Sequence, residues 1–117
     1  MIVYCKTAIE FGMKKCMEQP KYRVLVAIPD SKLKELKSFI KKVRRKGDVD
    51  YEIRETKGCL TVVFTNGSAL YTVSTAEETK GRPVHLAIVD ENVTNDFIMK
   101  VILRLEVLEF KARRRHE

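Results

Sequence analysis

Two adjacent carboxylates, Asp90 and Glu91, close the apolar run Val84-His-Leu-Ala-Ile-Val. Such a run suits a strand buried on both faces of a parallel sheet, and ligands of these sheets collect at the carboxyl ends of the strands. There the first acid can hold Mg²⁺ while the second orients or deprotonates an attacking water. This is the shape of a Walker B motif, with Asp90 and Glu91 as candidate catalytic residues and Asp90 as candidate metal ligand. A buried strand that meets an acidic helix entrance produces the same pattern.

A second chemistry lies in the charge. The chain carries a formal net charge of +7, and residues 31–46 alone account for it. They contain Lys32, Lys34, Lys37, Lys41, Lys42, Arg44, Arg45 and Lys46 against the single acid Glu35, while the rest of the chain balances fifteen bases with fifteen acids. A cationic stripe of this density is the electrostatic footprint of a surface that meets phosphates or another polyanion. Lys34, Lys37, Lys41, Lys42, Arg44 and Arg45 are the candidate nucleic-acid contacts, and an acidic protein partner would use the same groups. The bland alternative is a solvated amphipathic helix.

Other chemistry is thin. His85 lies inside the apolar strand, where a core histidine is commoner than a catalytic base, and Ser68 and Ser74 have no evident histidine partner. The three cysteines, Cys5, Cys16 and Cys59, lack paired zinc spacing and read as reduced thiols, mostly buried. Asp30, Asp48, Asp50 and Glu52 show no spacing that singles out a metal site.

These groups need a scaffold. Residues 7–19, with Ile9, Met13, Cys16 and Met17 at helical spacing and Pro20 after them, predict a helix. Residues 1–4 allow a short strand before it. Tyr22-Arg-Val-Leu-Val-Ala-Ile28 predicts a central strand. Ser31 can then cap a helix whose stripe is Leu33, Leu36, Ile40 and Val43, ending before Gly47. Residues 51–54, 59–64 and 69–74 predict three further strands, and the Asn66-Gly67 pair makes 59–74 an antiparallel hairpin. After a polar loop at 75–83 comes the Val84 strand, then a final helix capped by Thr94 or Asn95 with Phe97, Val101, Leu105 and Leu108 inward, and a basic tail, 111–117. Strand, helix, hairpin, strand and helix in this order fit an α/β domain with a mixed sheet.

At 117 residues the chain is expected to be one domain with a substantial core. No apolar run approaches the roughly 20 residues that span a bilayer, and the N-terminus has no secretory pattern. The expectation is a cytoplasmic protein without a membrane partner; a homo-oligomer is allowed.

Three pieces, in order, resemble the ATPase domain of viral terminase large subunits and, more loosely, the superfamily 1 and 2 helicases. Tyr22 to Pro29 looks like the strand after the first helix of those proteins. Phe64-Thr-Asn-Gly-Ser68 looks like their hairpin, and Glu77 to Arg82 leads into Val84–Glu91 much as an Arg-Gly loop precedes Walker B in terminases. The resemblance covers roughly residues 5–100. It implies a three-layer α/β/α P-loop NTPase-like fold with a mixed, mainly parallel sheet plus an antiparallel hairpin. It further implies ATP and Mg²⁺ as cofactors, DNA packaging or processing partners, and, for a viral chain, the host cell cytoplasm. Cys5-Lys6-Thr7 then occupies the place of the phosphate loop, so that Lys6 would reach a phosphate and Thr7 would meet Mg²⁺. The glycines that let backbone N–H groups cradle phosphates are missing. The expected function is a truncated NTPase-like protein without full ATPase activity that binds nucleic acid or a motor component. The alternatives are a hydrolase completed by another subunit and a viral regulatory or decoy module.

Overall fold

The structure, a computed structural model, describes residues 2–45, 47–56, 58–73 and 84–91. The expected final helix, the basic tail, the expected loop at 75–83 and Ser74 lie outside the described residues. In chain order the elements are β1 (Ile2–Val3), α1 (Lys6–Glu18), β2 (Arg23–Ala27), a 3₁₀ turn (Asp30–Lys32), α2 (Leu33–Lys41), β3 (Tyr51–Thr56), β4 (Cys59–Phe64), β5 (Ala69–Val73) and β6 (Leu86–Val89).

The strands form one mixed sheet in the order β1-β6-β2-β5-β4-β3. β1, β6, β2 and β5 run parallel, with Val3 beside Val89, Ala27 beside Val89 and Ala27 beside Val73, while β4 and β3 follow as antiparallel partners. β2 and β6 are the apolar runs of the sequence, and both are central, as strands buried on two faces must be. Alternation sends Val24, Val26, Leu70, Ile88, Leu60 and Val62 to one face and Leu25, Ala27, Tyr71, Val73, Ala87 and Val89 to the other.

Both described helices cover the first of these faces. α1 lays Ile9, Met13 and Cys16, all fully buried, against Val24 and Ile88. Its Gly12 lies so close to the sheet that an added Cβ would meet Ile88 Cδ1 at 3.2 Å and Val24 Cγ1 at 3.3 Å. α2 contributes Leu36 and Ile40, also fully buried, with Leu33 and Val43 half-buried beside them. Each such side chain is worth roughly 1.5–3 kcal/mol of burial. The mixed α/β architecture expected from the sequence is present. The helix that would form a third layer falls outside the described residues.

Local departures have local causes. α2 stops at Lys41, short of Gly47, and its end tightens through bonds from Lys42 N–H to Phe39 and from Val43 N–H to Ile40. Lys41, Lys42, Arg44 and Arg45 follow in close succession, and like charges three and four apart destabilise further turns. Ser31 does not cap α2, because it lies within the 3₁₀ turn that precedes the helix. β6 begins at Leu86 because His85 replaces a rung of the ladder: its N–H donates to the Arg23 carbonyl and its Nδ1 accepts the Arg23 N–H, both at 2.9 Å. The ring also stacks on Tyr22 at 5.0 Å. His85 is structural.

Candidate functional site: the carboxyl edge and the basic helix

Four parallel strands end on one edge of the sheet. Tyr4 N–H bonds to the Val89 carbonyl at 2.8 Å, Asp90 N–H to Ala27 at 2.9 Å and Ile28 N–H to Val73 at 3.3 Å. The residues that follow β1, β6 and β2 therefore share this edge. Cys5, Lys6 and Thr7 leave it into α1, Asp90 and Glu91 leave β6, and Pro29 leads from β2 into the 3₁₀ turn. Lys6 and Thr7 thus come to the same edge as Asp90 and Glu91, on neighbouring strands.

Asp90 is not displayed at a cleft, as a Walker B carboxylate would be, but is only 2% exposed. Alternation explains this. Asp90 falls on the face of Ile88, the one α1 and α2 cover, and its Oδ2 meets Lys32 Nζ at 2.5 Å. The ammonium stands 5.7 Å from the centre of the Tyr4 ring, and the Tyr4 hydroxyl donates to Glu35 Oε1 at 3.0 Å. The hydrogen bond to Asp90 outweighs desolvation and, with the charges of Asp90, Glu35 and Glu91, raises the Lys32 pKa. Burial, then the bond to Glu35, raises that of the Tyr4 phenol. Lys32 stays an ammonium and Tyr4 a neutral donor. Glu91 is exposed, as are Lys6 and Thr7.

The residues present do not fit a magnesium-bound nucleotide triphosphate. Asp90 already has a cation against it, and only Tyr4 and Cys5 separate β1 from α1. Cys5 is extended (φ −165°, ψ 172°), and its Sγ accepts the Ala8 N–H at 3.4 Å, so a thiol occupies a helix-start donor that a phosphate loop would offer. Among the described residues no cluster of His, Cys, Asp and Glu has the arrangement of a metal site.

The second candidate surface is α2 and the turn after it. Lys34, Lys37 and Lys41 share a helix face that flanks the buried stripe of Leu36 and Ile40. Lys37 is ion-paired with Glu55, and Arg45 with Asp50 at 3.0 Å while it lies 5.3 Å over the Tyr51 ring. Lys34, Lys41, Lys42 and Arg44 are exposed, with no ion pair among the described residues. The six candidate contacts thus divide into two groups: Lys37 pairs with β3 and Arg45 with Asp50 just before it, and the other four face solvent.

Reading the sequence missed the residues around Asp90 and the contacts that the Asn66-Gly67 turn makes to α1 and β2. Tyr4, Lys32 and Glu35 gather around Asp90 from segments up to 86 positions away, and nothing local marks them. The Phe64–Ser68 turn, by contrast, had a signal in its Asn-Gly-Ser. Asn66 Nδ2 donates to the Cys16 carbonyl at 2.7 Å, and Ser68 Oγ donates to Gln19 at 2.6 Å while accepting the Tyr22 N–H at 3.0 Å. Gly67 supplies the required positive φ, +89°. The turn caps the end of α1 and sets the start of β2.

Of the cysteines, Cys16 is buried, Cys59 half-buried and Cys5 exposed. Burial pushes the Cys16 thiol up to about 12. An unfolded chain ionises this thiol from about pH 9, whereas the folded chain holds the proton, so stability present below that pH is lost as pH rises toward 12. The expected slope is up to about 1.4 kcal/mol per pH unit. Denaturant unfolding across this range should be flatter in Cys16→Ala; an equal slope in both proteins would dismiss the thiol as the cause.

No helix among the described residues is long and apolar enough to cross a membrane. Compared with protein-family models, with curated proteins and with solved structures, the chain matches none.

Proposed function

We propose that this chain is a non-hydrolysing module, akin to a terminase ATPase core, that binds nucleic acid through α2 and the turn after it. The observation that carries the reading is the group of exposed cations Lys34, Lys41, Lys42 and Arg44, free of ion pairs among the described residues. Their partners are phosphates, because a convex helix face without a pocket neutralises a backbone and does not read base edges. The edge where Asp90 is held by Lys32 supports the absence of turnover. Titrating labelled duplex DNA at increasing salt is the test. Binding should be weak and insensitive to sequence, and log K should fall against log salt by about 0.9 per neutralised phosphate. No binding at low salt would sink the proposal.

The second reading, a hydrolase completed by another subunit, draws on the placement of Lys6, Thr7, Asp90 and Glu91 along one edge. Steady-state Mg-ATP turnover should be negligible. A clear rate that disappears in both Lys6→Ala and Glu91→Gln would favour the hydrolase.

A further inference from the structure

β3 ends the sheet, and among the described residues no strand pairs with its outer side. Thr65 N–H donates to the Asp50 carbonyl at 3.0 Å, and the register sets Glu52 against Val63, Arg54 against Thr61 and Thr56 against Cys59. In an antiparallel ladder, bonded and non-bonded positions alternate, so residues 50, 52, 54 and 56 direct their amides to β4 and Tyr51, Ile53 and Glu55 direct theirs outward. The Tyr51 N–H is met by the Asp50 carboxylate at 2.8 Å, which leaves the amides of Ile53 and Glu55 as outward donors. An edge of this kind is a template for another strand.

We propose that β3 pairs antiparallel with β3 of a second copy of this chain, about a two-fold axis through Ile53, joining two sheets into one. Such pairing must set outward-facing positions against outward-facing positions, so the axis passes through a residue, and keeping most of β3 paired restricts it to Glu52, Ile53 or Arg54. An axis at Glu52 opposes Glu52 to itself, and one at Arg54 opposes Arg54 to itself; like charges directly opposite destabilise. The axis at Ile53 alone sets Glu52 opposite Arg54 of the other copy, and symmetry repeats that pair. The two side chains are exposed and already lie 3.4 Å apart within one chain, so they can exchange partners across the axis with little rearrangement. Ile53 then meets Ile53, and the central pair exchanges both backbone hydrogen bonds.

The dimer also has an orientation. Tyr51, Ile53 and Glu55 lie on the face that α2 covers, as the Tyr51 hydroxyl donating to the Ile40 carbonyl and the Lys37–Glu55 pair show. Both copies of α2 therefore fall on one face of the joined sheet, and their cations form one surface across the axis.

Sedimentation equilibrium of the whole chain tests this through charge exchange. The parent should form dimers as concentration rises. Arg54→Glu and Glu52→Arg should each raise the dimer dissociation constant by about tenfold, since each turns two attractive cross-strand pairs repulsive. An equimolar mixture of the two variants should dimerise about as well as the parent, because every opposed pair again carries opposite charges. Circular dichroism verifies that each variant is folded. A parent that stays monomeric, single variants that dimerise like the parent, or a mixture no tighter than its components would each overturn the proposal.

Discussion

Replacing Lys34, Lys41 and Arg44 together by glutamate should weaken duplex binding at low salt by about a hundredfold or more, and lower the salt slope by about 2.7. The three were chosen because they are exposed and outside the ion pairs that hold α2. Lys37 is the instructive contrast. Its ammonium is already committed to Glu55, so Lys37→Gln should change the slope by much less than Lys34→Gln. The triple variant should remain folded, because glutamate is a good helix former and Lys34→Glu places an acid near the helix N-terminus, although Lys41→Glu gives back part of this at the other end. Binding by the triple variant equal to that of the parent would reduce the run to a solvated face. Competition by polyglutamate as effective as by DNA would instead point to an acidic protein partner.

How much of this was legible in the sequence depends on how far apart the cause and its effect lie along the chain. β2 and β6 could be read as central strands because burial on both faces leaves its mark on every residue of the run. The Asn66-Gly67 turn was legible because positive φ is a local demand. The end of α2 was misplaced because apolar periodicity continues to Val43, two residues past the last residue of the helix. Most obscure was the fate of Asp90. The sequence places two acids at the end of a strand, but whether the first faces solvent or a helix depends on strand parity and on a lysine 58 positions earlier. The terminase resemblance rests in part on the pair of acids that closes the apolar run. It carries no information on Lys32, on which the chemistry of that edge turns.

Lys32→Met should therefore destabilise the fold more than any other single exposed-lysine substitution on α2 or its flanks. Methionine keeps most of the stem but removes the ammonium, and the buried Asp90 carboxylate loses a compensating charge. The cost falls on Asp90, and it is smaller than for a fully buried pair because Lys32 is itself 32% exposed and water can enter in its place. Asp90→Asn should cost less, since the neutral amide is easier to bury and Lys32 can turn to solvent. The double variant should cost less than the sum of the two, by an amount that measures their coupling. Magnesium provides the discriminating arm. With Lys32 against Asp90, millimolar Mg²⁺ should leave the Tm of the parent unchanged, because a ligand stabilises only where it binds the folded state. If Mg²⁺ raises the parent's Tm and Asp90→Asn removes the effect, the ammonium is displaceable and the edge is a metal site. Strict additivity of Lys32→Met and Asp90→Asn would show that the contact contributes nothing, and the case for a closed edge would then rest on the missing glycine cradle alone.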